Sequence, residues 1–174
     1  MRIAATELDG VYELELEPHV DERGFFARLH CPEELARAGI LFLSTQINLS
    51  RNTAAYTLRG MHYQDPPFAE AKIVRAVAGS LYDVAVDLRP DSPSLHRWIA
   101  RTLDARRGNA LVLPEGIAHG FLTLEPDTDV LYQMGRPYVP GKARGFRWDD
   151  PKIAIQWPRR PAVVGAADSA WPAL

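Results

Sequence analysis

The chain has 174 residues, a length that suits one domain with a full core rather than two domains. Its 20 basic and 22 acidic side chains give a formal net charge of −2, so no global charge favours nucleic acid or an anionic membrane as a partner. The single cysteine, Cys31, excludes an internal disulfide framework and favours a reducing compartment. Since no apolar segment approaches the roughly 18 residues that span a bilayer, we expect a cytoplasmic protein that does not enter the membrane.

The first quarter of the chain predicts short strands and one helix. Residues 11–17 alternate apolar and acidic side chains, as a half-buried strand does, and the pattern stops at Pro18. A turn at residues 21–24 precedes a short strand at 25–29. Residues 32–39 begin with proline and two glutamates and end with glycine, which predicts the only helix before the C-terminal tail.

The rest of the chain predicts short strands separated by proline and glycine. The predicted strands cover residues 41–49, 57–64, 72–78, 80–88, 98–103, 110–113, 120–124 and 130–134. No alternation of strand and helix occurs, so the spacing predicts an all-β sandwich or barrel. We expect residues 1–174 to form one domain, with a tail at about residues 159–174 that is loosely ordered unless the barrel captures it.

Residues 58–64 (LRGMHYQ), Lys72 and residues 114–121 (PEGIAHGF) place an imidazole, a guanidinium and an ammonium group on β-rich segments. A divalent metal is one interpretation, with His62 and His119 as ligands. The residue two positions after His62 is glutamine, however, and a neutral amide is a poor substitute for imidazole. Lys72 in the same pocket would also repel a cation, so we expect no metal.

Proton abstraction next to a carbonyl group is the stronger interpretation. Histidine titrates near neutral pH and can remove and return a proton, while a nearby lysine stabilises the enolate oxygen. A tyrosine on the opposite side could then deliver a proton to the other face, which gives an epimer. Taken alone, His62 is better interpreted as a hydrogen-bonded histidine of the barrel. Arg59 and Lys72 favour a site, because buried cations need an anion to offset their desolvation.

Several ordered motifs lie between about Gly10 and the C-terminus. They are residues 21–26 (DERGFF), 46–50 (QINLS), 58–64 (LRGMHYQ), 72–75 (KIVR), 83–89 (DVAVDLR), 114–121 (PEGIAHGF) and 147–151 (RWDDP). With these motifs the chain resembles the dTDP-4-dehydrorhamnose 3,5-epimerases. The resemblance implies an all-β, cupin-type (jelly-roll) barrel with a few short helices and no metal or other cofactor. It also implies a homodimer that exchanges N-terminal strands and acts on a nucleotide-linked 4-keto-6-deoxy sugar, most simply a dTDP-sugar.

The resemblance also implies roles for individual residues. His62 corresponds to the base, Tyr132 to the proton donor, Asp168 to the carboxylate that pairs with the histidine, and Lys72 to the lysine near the keto group. The implied substrate contacts are Arg23, Phe26, Arg28, Gln46, Asn48, Arg59, Lys72, His119 and Tyr138. Independently of the family, Gln46 and Asn48 lie two residues apart on a predicted strand, so both side chains can face one ligand.

Three positions depart from the family pattern, which usually has glutamate at Arg28, glutamate near Ala143 and lysine at Ala167. A carboxylate at the first position suits the N3 hydrogen of thymine, whereas arginine presents only donors. A CDP- or GDP-linked sugar is therefore one alternative, and dTDP bound through the remaining contacts is the other. Residues 134–137, after Tyr132, are unusual and leave open inversion at C3 or C5 alone. A barrel that binds the sugar nucleotide without turnover is the alternative of another class.

Overall fold

A computed structural model describes residues 1–174 as two facing, mainly antiparallel sheets and a separate hairpin. The strands are β1 (Arg2–Ala5), β2 (Tyr12–Glu15), β3 (His19–Asp21), β4 (Gly24–Phe26), β5 (Gln46–Asn52), β6 (Thr57–Gln64), β7 (Lys72–Ala78), β8 (Ser80–Asp87), β9 (Trp98–Asp104), β10 (Ala110–Leu113), β11 (Ile117–Thr123), β12 (Thr128–Met134), β13 (Ala143–Gly145) and β14 (Val163–Val164). Two short helices, α1 (Pro32–Arg37) and α2 (Ala166–Ser169), complete the chain.

The first six-stranded sheet has the order β1-β2-β10-β7-β12-β5. The second has the order β13-β6-β11-β8-β9, and β14 adds to β6 in parallel. The β3–β4 hairpin pairs only with itself. This arrangement of two facing sheets confirms the predicted all-β fold with a few short helices.

Most of the predicted elements are present, with differences at their ends. The predicted helix is α1, with Pro32 at its start and Glu33 and Glu34 in the first turn, where backbone N–H groups favour negative charge. The strand predicted from residue 41 begins only at Gln46. The sequence did not predict the short elements β1, β3, β13, β14 and α2. None of the helices is long and apolar enough to cross a membrane.

The C-terminal tail is held by the barrel. Val163 and Val164 pair in parallel with Thr57 and Leu58 of β6, and α2 follows directly. Further along, Trp171 packs against Gly145 of β13, where an added Cβ atom would lie 2.5 Å from the indole ring. The tail is therefore part of the folded barrel. The sequence predicted a loosely ordered tail unless the barrel captured it, and the structure shows the captured form.

The apolar core has three parts, because successive side chains of a strand point to opposite faces. Val74 and Phe121 belong to the cluster between the two sheets. Ile73, next to Val74, points outward into a second cluster with Leu35 of α1. A third cluster lies on the outer face of the second sheet and includes Phe146. Each fully buried side chain of this size contributes about 1.5–3 kcal/mol, so the three clusters fix both sheets in place.

Two glycines allow β6 and β11 to approach closely at one point. A Cβ atom on Gly60 would lie 2.5 Å from the Cα atom of Gly120, and Gly60 has φ = +131°, a conformation that side chains rarely adopt. The pairing of the two strands shifts between His119 and Phe121 at the same place. This irregularity lies next to the pairing of His62 with His119, so it sets the position of both imidazoles.

Candidate active site

Pairing within the first sheet brings polar side chains of three strands onto its inner face. Tyr132 of β12 lies between Asn48 of β5 and Val74 of β7. Two residues further along each strand, Lys72 of β7 is opposite Met134 of β12. Directly opposed residues of an antiparallel pair point to the same face. Since Val74 belongs to the cluster between the sheets, all five side chains point toward the second sheet.

The second sheet presents its own polar residues across the gap. His62 of β6 is paired with His119 of β11. The ring of His119 meets the ring of Tyr132 edge to face, with 5.9 Å between centroids. These side chains therefore meet from both sheets around one space.

That space is a cavity of about 300 Å³. Its lining residues are Asn48, Leu49, Ser50, Arg59, His62, Lys72, His119, Tyr132 and Met134. A neighbouring pocket of about 540 Å³ shares Arg59 and His62 with the first. Its other lining residues are Tyr63, Gln64, Glu70, Tyr138, Ala143, Gly165, Ala166, Ala167, Asp168 and Trp171. His62 thus lies between two pockets, one inside the barrel and one near the tail.

His62 and Asp168 form a hydrogen-bonded pair. Nε2 of His62 is 2.6 Å from Oδ1 of Asp168, and the other carboxylate oxygen accepts a hydrogen bond from the backbone N–H of Gly60 at 3.3 Å. The His62 side chain is 42% exposed, whereas that of Asp168 is 11% exposed. Burial by itself would raise the pKa of Asp168, but the hydrogen bond and charge of His62 outweigh it and lower the pKa. The carboxylate stays ionised at neutral pH and fixes the imidazole through Nε2.

Lys72 is buried and paired with a carboxylate. Its Nζ atom is 3.1 Å from Oε1 of Glu70, and the side chains of both residues are less than a tenth exposed. The second oxygen of Glu70 accepts a hydrogen bond from the side-chain amide of Gln64. Gln64, at the position where a metal site would need another histidine, therefore serves this ion pair.

His119 is held by a second buried carboxylate. Its Nε2 atom is 2.7 Å from Oδ1 of Asp83, and both side chains are almost completely buried. Burial raises the pKa of Asp83, and the attraction of His119 and Lys72 offsets this only in part. The other oxygen of Asp83 has no hydrogen-bond partner. This pair fixes the orientation of the His119 ring against Tyr132.

The hydroxyl group of Tyr132 makes no hydrogen bond with the rest of the chain and faces the cavity. Its pKa is raised, first by burial and then by the negative charge of Asp83, which Arg59 opposes. A raised pKa keeps the phenol protonated through the neutral and moderately alkaline range. Tyr132 is therefore suited to donate a proton.

The remaining predicted contacts fall into two groups. Arg59 receives support from Asn52, whose side-chain oxygen is 2.8 Å from Nε, so the guanidinium projects into the cavity for an anion. Asn48 accepts a hydrogen bond from Gln46 at 2.9 Å, and Gln46 in turn accepts one from the backbone N–H of Tyr138 at 3.0 Å. This chain of contacts links the inner cavity to the segment after β12.

Arg23, Phe26 and Arg28 are not among the residues that line either pocket. Arg23 and Phe26 lie on the exposed β3–β4 hairpin, where Arg23 pairs with Asp21. Arg28 pairs with Glu34 of α1 instead. Their predicted contact with substrate is not made by the cavity of their own chain and stays a prediction.

Glu70, Asp83 and Asn52 were not predicted as site residues from the sequence. A signal existed for Asp83, because it interrupts an otherwise apolar run on β8 where a carboxylate needs a partner. Glu70 precedes β7 in a segment without periodicity, and its contact with Lys72 depends on the local chain path. Nothing in the sequence around Asn52 indicated its support of Arg59.

The chain is similar to known proteins over its full length. The sequence profile named "dTDP-4-dehydrorhamnose 3,5-epimerase" matches residues 5–174. A protein of that name from Sinorhizobium fredii is 38% identical over 99% of this chain and 94% of its own length. A dTDP-4-dehydrorhamnose 3-epimerase from Streptomyces niveus is 34% identical over 97% of this chain and 81% of its own length.

The fold is similar to that of solved structures. A crystal structure of a dTDP-4-dehydrorhamnose 3,5-epimerase from Bacillus anthracis, with TDP and PPi bound, superimposes with a TM-score of 0.96 and 35% sequence identity. The alignment covers 99% of both chains. This likeness confirms the cupin-type barrel that the sequence resemblance implied.

Proposed function

The chain belongs to the dTDP-4-dehydrorhamnose 3,5-epimerase family, whose members are isomerases, and from this premise we propose that it epimerises a nucleotide-linked 4-keto-6-deoxyhexose at C3 and C5. The reaction converts dTDP-4-dehydro-6-deoxy-D-glucose into dTDP-4-dehydro-L-rhamnose, in dTDP-rhamnose or related deoxysugar biosynthesis. The observation that carries the proposal is the position of Tyr132 and Lys72 on one wall of the cavity and of the His62–Asp168 pair on the other.

His62 is the proposed base. Asp168 engages Nε2, which leaves Nδ1 of the neutral imidazole without a partner in the chain and free to take a proton. A keto group at C4 acidifies the hydrogens on C3 and C5. His62 removes one of them, and the imidazolium formed is stabilised by the ionised Asp168.

Lys72 stabilises the enolate, because its ammonium group places positive charge where negative charge develops on O4. Tyr132, protonated and facing the cavity from the other sheet, returns a proton to the opposite face of the carbon. Once His62 has released its proton to solvent and Tyr132 has regained one, repetition at the second carbon gives the double epimer. Arg59 binds the diphosphate, and Asn48 and His119 contact the sugar.

Inversion at a single carbon is the second candidate function. It is favoured by the Streptomyces niveus relative, which is named as a 3-epimerase and is 34% identical to this chain. Met134, which lines the cavity next to Lys72, begins the unusual segment after Tyr132.

Proton NMR with dTDP-4-keto-6-deoxyglucose in deuterium oxide tests these proposals. Exchange at both C3 and C5, abolished in His62→Ala, is expected for the 3,5-epimerase. Exchange at one carbon identifies the single-centre enzyme. Absence of exchange with dTDP-, CDP- and GDP-linked substrates, in a protein that still binds the nucleotide, leaves only the barrel without turnover.

For the nucleotide we propose dTDP, because a family structure of 35% identity holds TDP. Arg28, the residue that raised the CDP and GDP alternatives, is paired with Glu34 and contributes to neither pocket of His62 within its own chain. Comparison of kcat/KM for dTDP-, CDP- and GDP-linked 4-keto sugars decides the point. A preference for CDP or GDP would contradict the dTDP assignment and would indicate that Arg28 contacts the nucleobase.

We further propose a cytoplasmic homodimer of single-domain chains. Large exposed apolar side chains between residues 20 and 49 support an interface; among them are Val20, Phe25, Phe26, Leu41, Leu43, Ile47 and Leu49. The β1 and β2 strands pair within their own sheet, so the element available for exchange is the β3–β4 hairpin. In an exchanged dimer the hairpin would carry Arg23 and Phe26 to the cavity of the second copy.

Subunit mixing tests the exchange. His62→Ala and Arg23→Ala chains are each expected to be inactive alone. In a mixed dimer with exchanged hairpins, the site that has its own His62 receives Arg23 from the other copy, so one site in two recovers. If the mixture stays as inactive as its components while sedimentation shows mixed dimers, each chain uses its own hairpin.

A further inference from the structure

Glu70 is a buried carboxylate to which the proposed mechanism gives no task. It forms part of the wall of the pocket near the tail, whereas its partner Lys72 forms part of the wall of the inner cavity. The ion pair between them, at 3.1 Å, therefore lies at the boundary between the two spaces. We propose that Glu70 is a positioning residue, which holds the ammonium group of Lys72 at the wall of the catalytic cavity.

The contacts of Glu70 show how it can do this. One oxygen accepts from Lys72 and the other accepts from the side-chain amide of Gln64. Gln64 is on β6, two residues after His62, so the carboxylate is fixed to the strand that carries the proposed base. Glu70 thus connects Lys72 of the first sheet with His62 of the second through one amide.

Lys72 needs such a partner because its ammonium group stands on a flexible four-carbon stem. Asp83 is a second buried carboxylate whose pKa the charge of Lys72 lowers, and it is already engaged by His119. Without Glu70 the ammonium group could turn toward Asp83 and away from its place beside the substrate. A displacement of about 1 Å in a catalytic group can cost about 100-fold in rate.

Two substitutions separate charge from contact. Glu70→Gln can keep both hydrogen bonds, since its oxygen can accept from Lys72 and its amide can donate to a reoriented Gln64, whose own oxygen has no partner in the native protein. Glu70→Leu removes charge and contacts together. Because the inference rests on the proposed function, we expect kcat for C3 and C5 exchange to fall about 100-fold in the Leu variant and about tenfold in the Gln variant, with KM changed less than about threefold.

A spectroscopic measurement does not depend on turnover. The chain has three lysines, and Lys142 and Lys152 are exposed. In protein labelled with ¹⁵N-lysine, only the buried and hydrogen-bonded ammonium group of Lys72 is expected to exchange slowly enough with water to give a ¹H–¹⁵Nζ signal. The signal is assigned by its absence in Lys72→Met. It should keep its native chemical shifts in Glu70→Gln, and it should move or disappear in Glu70→Leu.

Glu33→Gln is the matched control, since Glu33 forms an exposed ion pair with Arg37 on α1. It should leave kcat and the Lys72 signal unchanged. A Leu variant with native kcat and a Lys72 signal at its native chemical shifts, altered only in melting temperature, would overturn the inference. If that variant does not fold, Glu70→Ala, which removes the same contacts with a smaller side chain, takes its place, and native kcat with an unchanged signal there overturns the inference equally. An inactive wild-type protein would refute the proposed function instead, while the signal would still decide the role of Glu70.

Discussion

His62 and Asp168 are 106 positions apart in the chain, yet their side chains are joined by a hydrogen bond of 2.6 Å. The connection is made by one strand. His62 is on β6, and β14 pairs with Thr57 and Leu58 of the same strand just before the chain turns into α2 with Asp168. β6 thus positions both residues: it carries His62 itself, and its pairing with β14 places Asp168. A movement of β6 would therefore carry both side chains together.

Replacement of Asp168 by asparagine should abolish most of the activity and leave the fold intact. The two hydrogen bonds of Asp168 use different carboxylate oxygens, and asparagine has only one oxygen, so either Gly60 or His62 loses its acceptor. The imidazolium that forms on proton transfer also loses its negatively charged partner. We expect kcat for C3 and C5 exchange to fall about 10³-fold. This is within the range known for enzymes that lose a general base or the carboxylate that fixes the tautomer of a catalytic histidine. Asp149→Asn, which alters an exposed ion pair with Arg147, is the control. A rate within threefold of wild type, by the exchange assay, would show that His62 works without Asp168.

Tyr132→Phe should separate proton removal from proton return. The hydroxyl group makes no hydrogen bond within the chain, so its loss should leave the free energy of unfolding nearly unchanged. Net epimerisation should fall about 100-fold or more, since one proton transfer is lost, while His62 still exchanges the substrate hydrogen with solvent. Deuterium incorporation and product formation are measured on the same sample. Tyr82→Phe is the control, because the hydroxyl group of Tyr82 donates to the backbone oxygen of Gln156 on the outer surface; it should leave both rates unchanged. Equal losses of exchange and epimerisation would contradict a separate role for Tyr132 as proton donor.

The sequence predicted the fold class and the inner cavity to a large extent. The strands from Thr57 to Met134 follow local alternation and turn residues, which is the information that a single sequence carries best. His62, Lys72, His119 and Tyr132 were chosen from motif and resemblance, and pairing within the two sheets brings them to one cavity. Asp168, for which the surrounding sequence was weak, reaches His62 because of the β14–β6 pairing.

The sequence could not predict contacts that depend on the path of the chain between helices and strands. Glu70 reaches Lys72 through a segment that is neither helix nor strand, and Asn52 reaches Arg59 from another strand of another sheet. The late start of β5 has a similar origin, because Phe42 turns into the outer cluster under α1 before the strand begins. Tertiary packing rather than local pattern decides such features.

Gly60→Ala tests the close approach of β6 and β11. The added Cβ atom would lie 2.5 Å from the backbone of Gly120, which cannot move as a side chain can. Gly24→Ala is a matched control, since Gly24 has φ = +128° and nothing within 4 Å of its Cβ position. We expect about 1–3 kcal/mol of conformational destabilisation in both variants, and a further loss of about 1–3 kcal/mol in Gly60→Ala from overpacking. Urea unfolding measures both. Equal losses of stability in the two variants would mean that β6 and β11 can move apart at no cost. In that case we expect the activity of Gly60→Ala to be unaffected.

Asp87 should make the protein sensitive to acid. Its side chain is completely buried and accepts hydrogen bonds from Arg89 at 2.7 and 2.9 Å, from Ser92 at 2.5 Å and from Ser94 at 2.6 Å. Burial by itself would raise the pKa of Asp87, but these hydrogen bonds outweigh it and lower the pKa well below its usual range.

A carboxylate whose pKa is lower in the folded than in the unfolded state stabilises the protein above its unfolded pKa, and this contribution is lost as the pH falls toward the folded pKa. Asp87→Asn should therefore cost about 2–4 kcal/mol at pH 7, where a buried charged acceptor is removed from its donors. The difference from wild type should shrink as the pH falls below about 4, the region where an unfolded aspartate titrates. Urea unfolding between pH 7 and pH 3 measures it, with the exposed Asp91→Asn as control. A difference that stays constant over this range would show that the charge of Asp87 does not contribute, and that only the shape of its hydrogen-bond network holds the loop after β8.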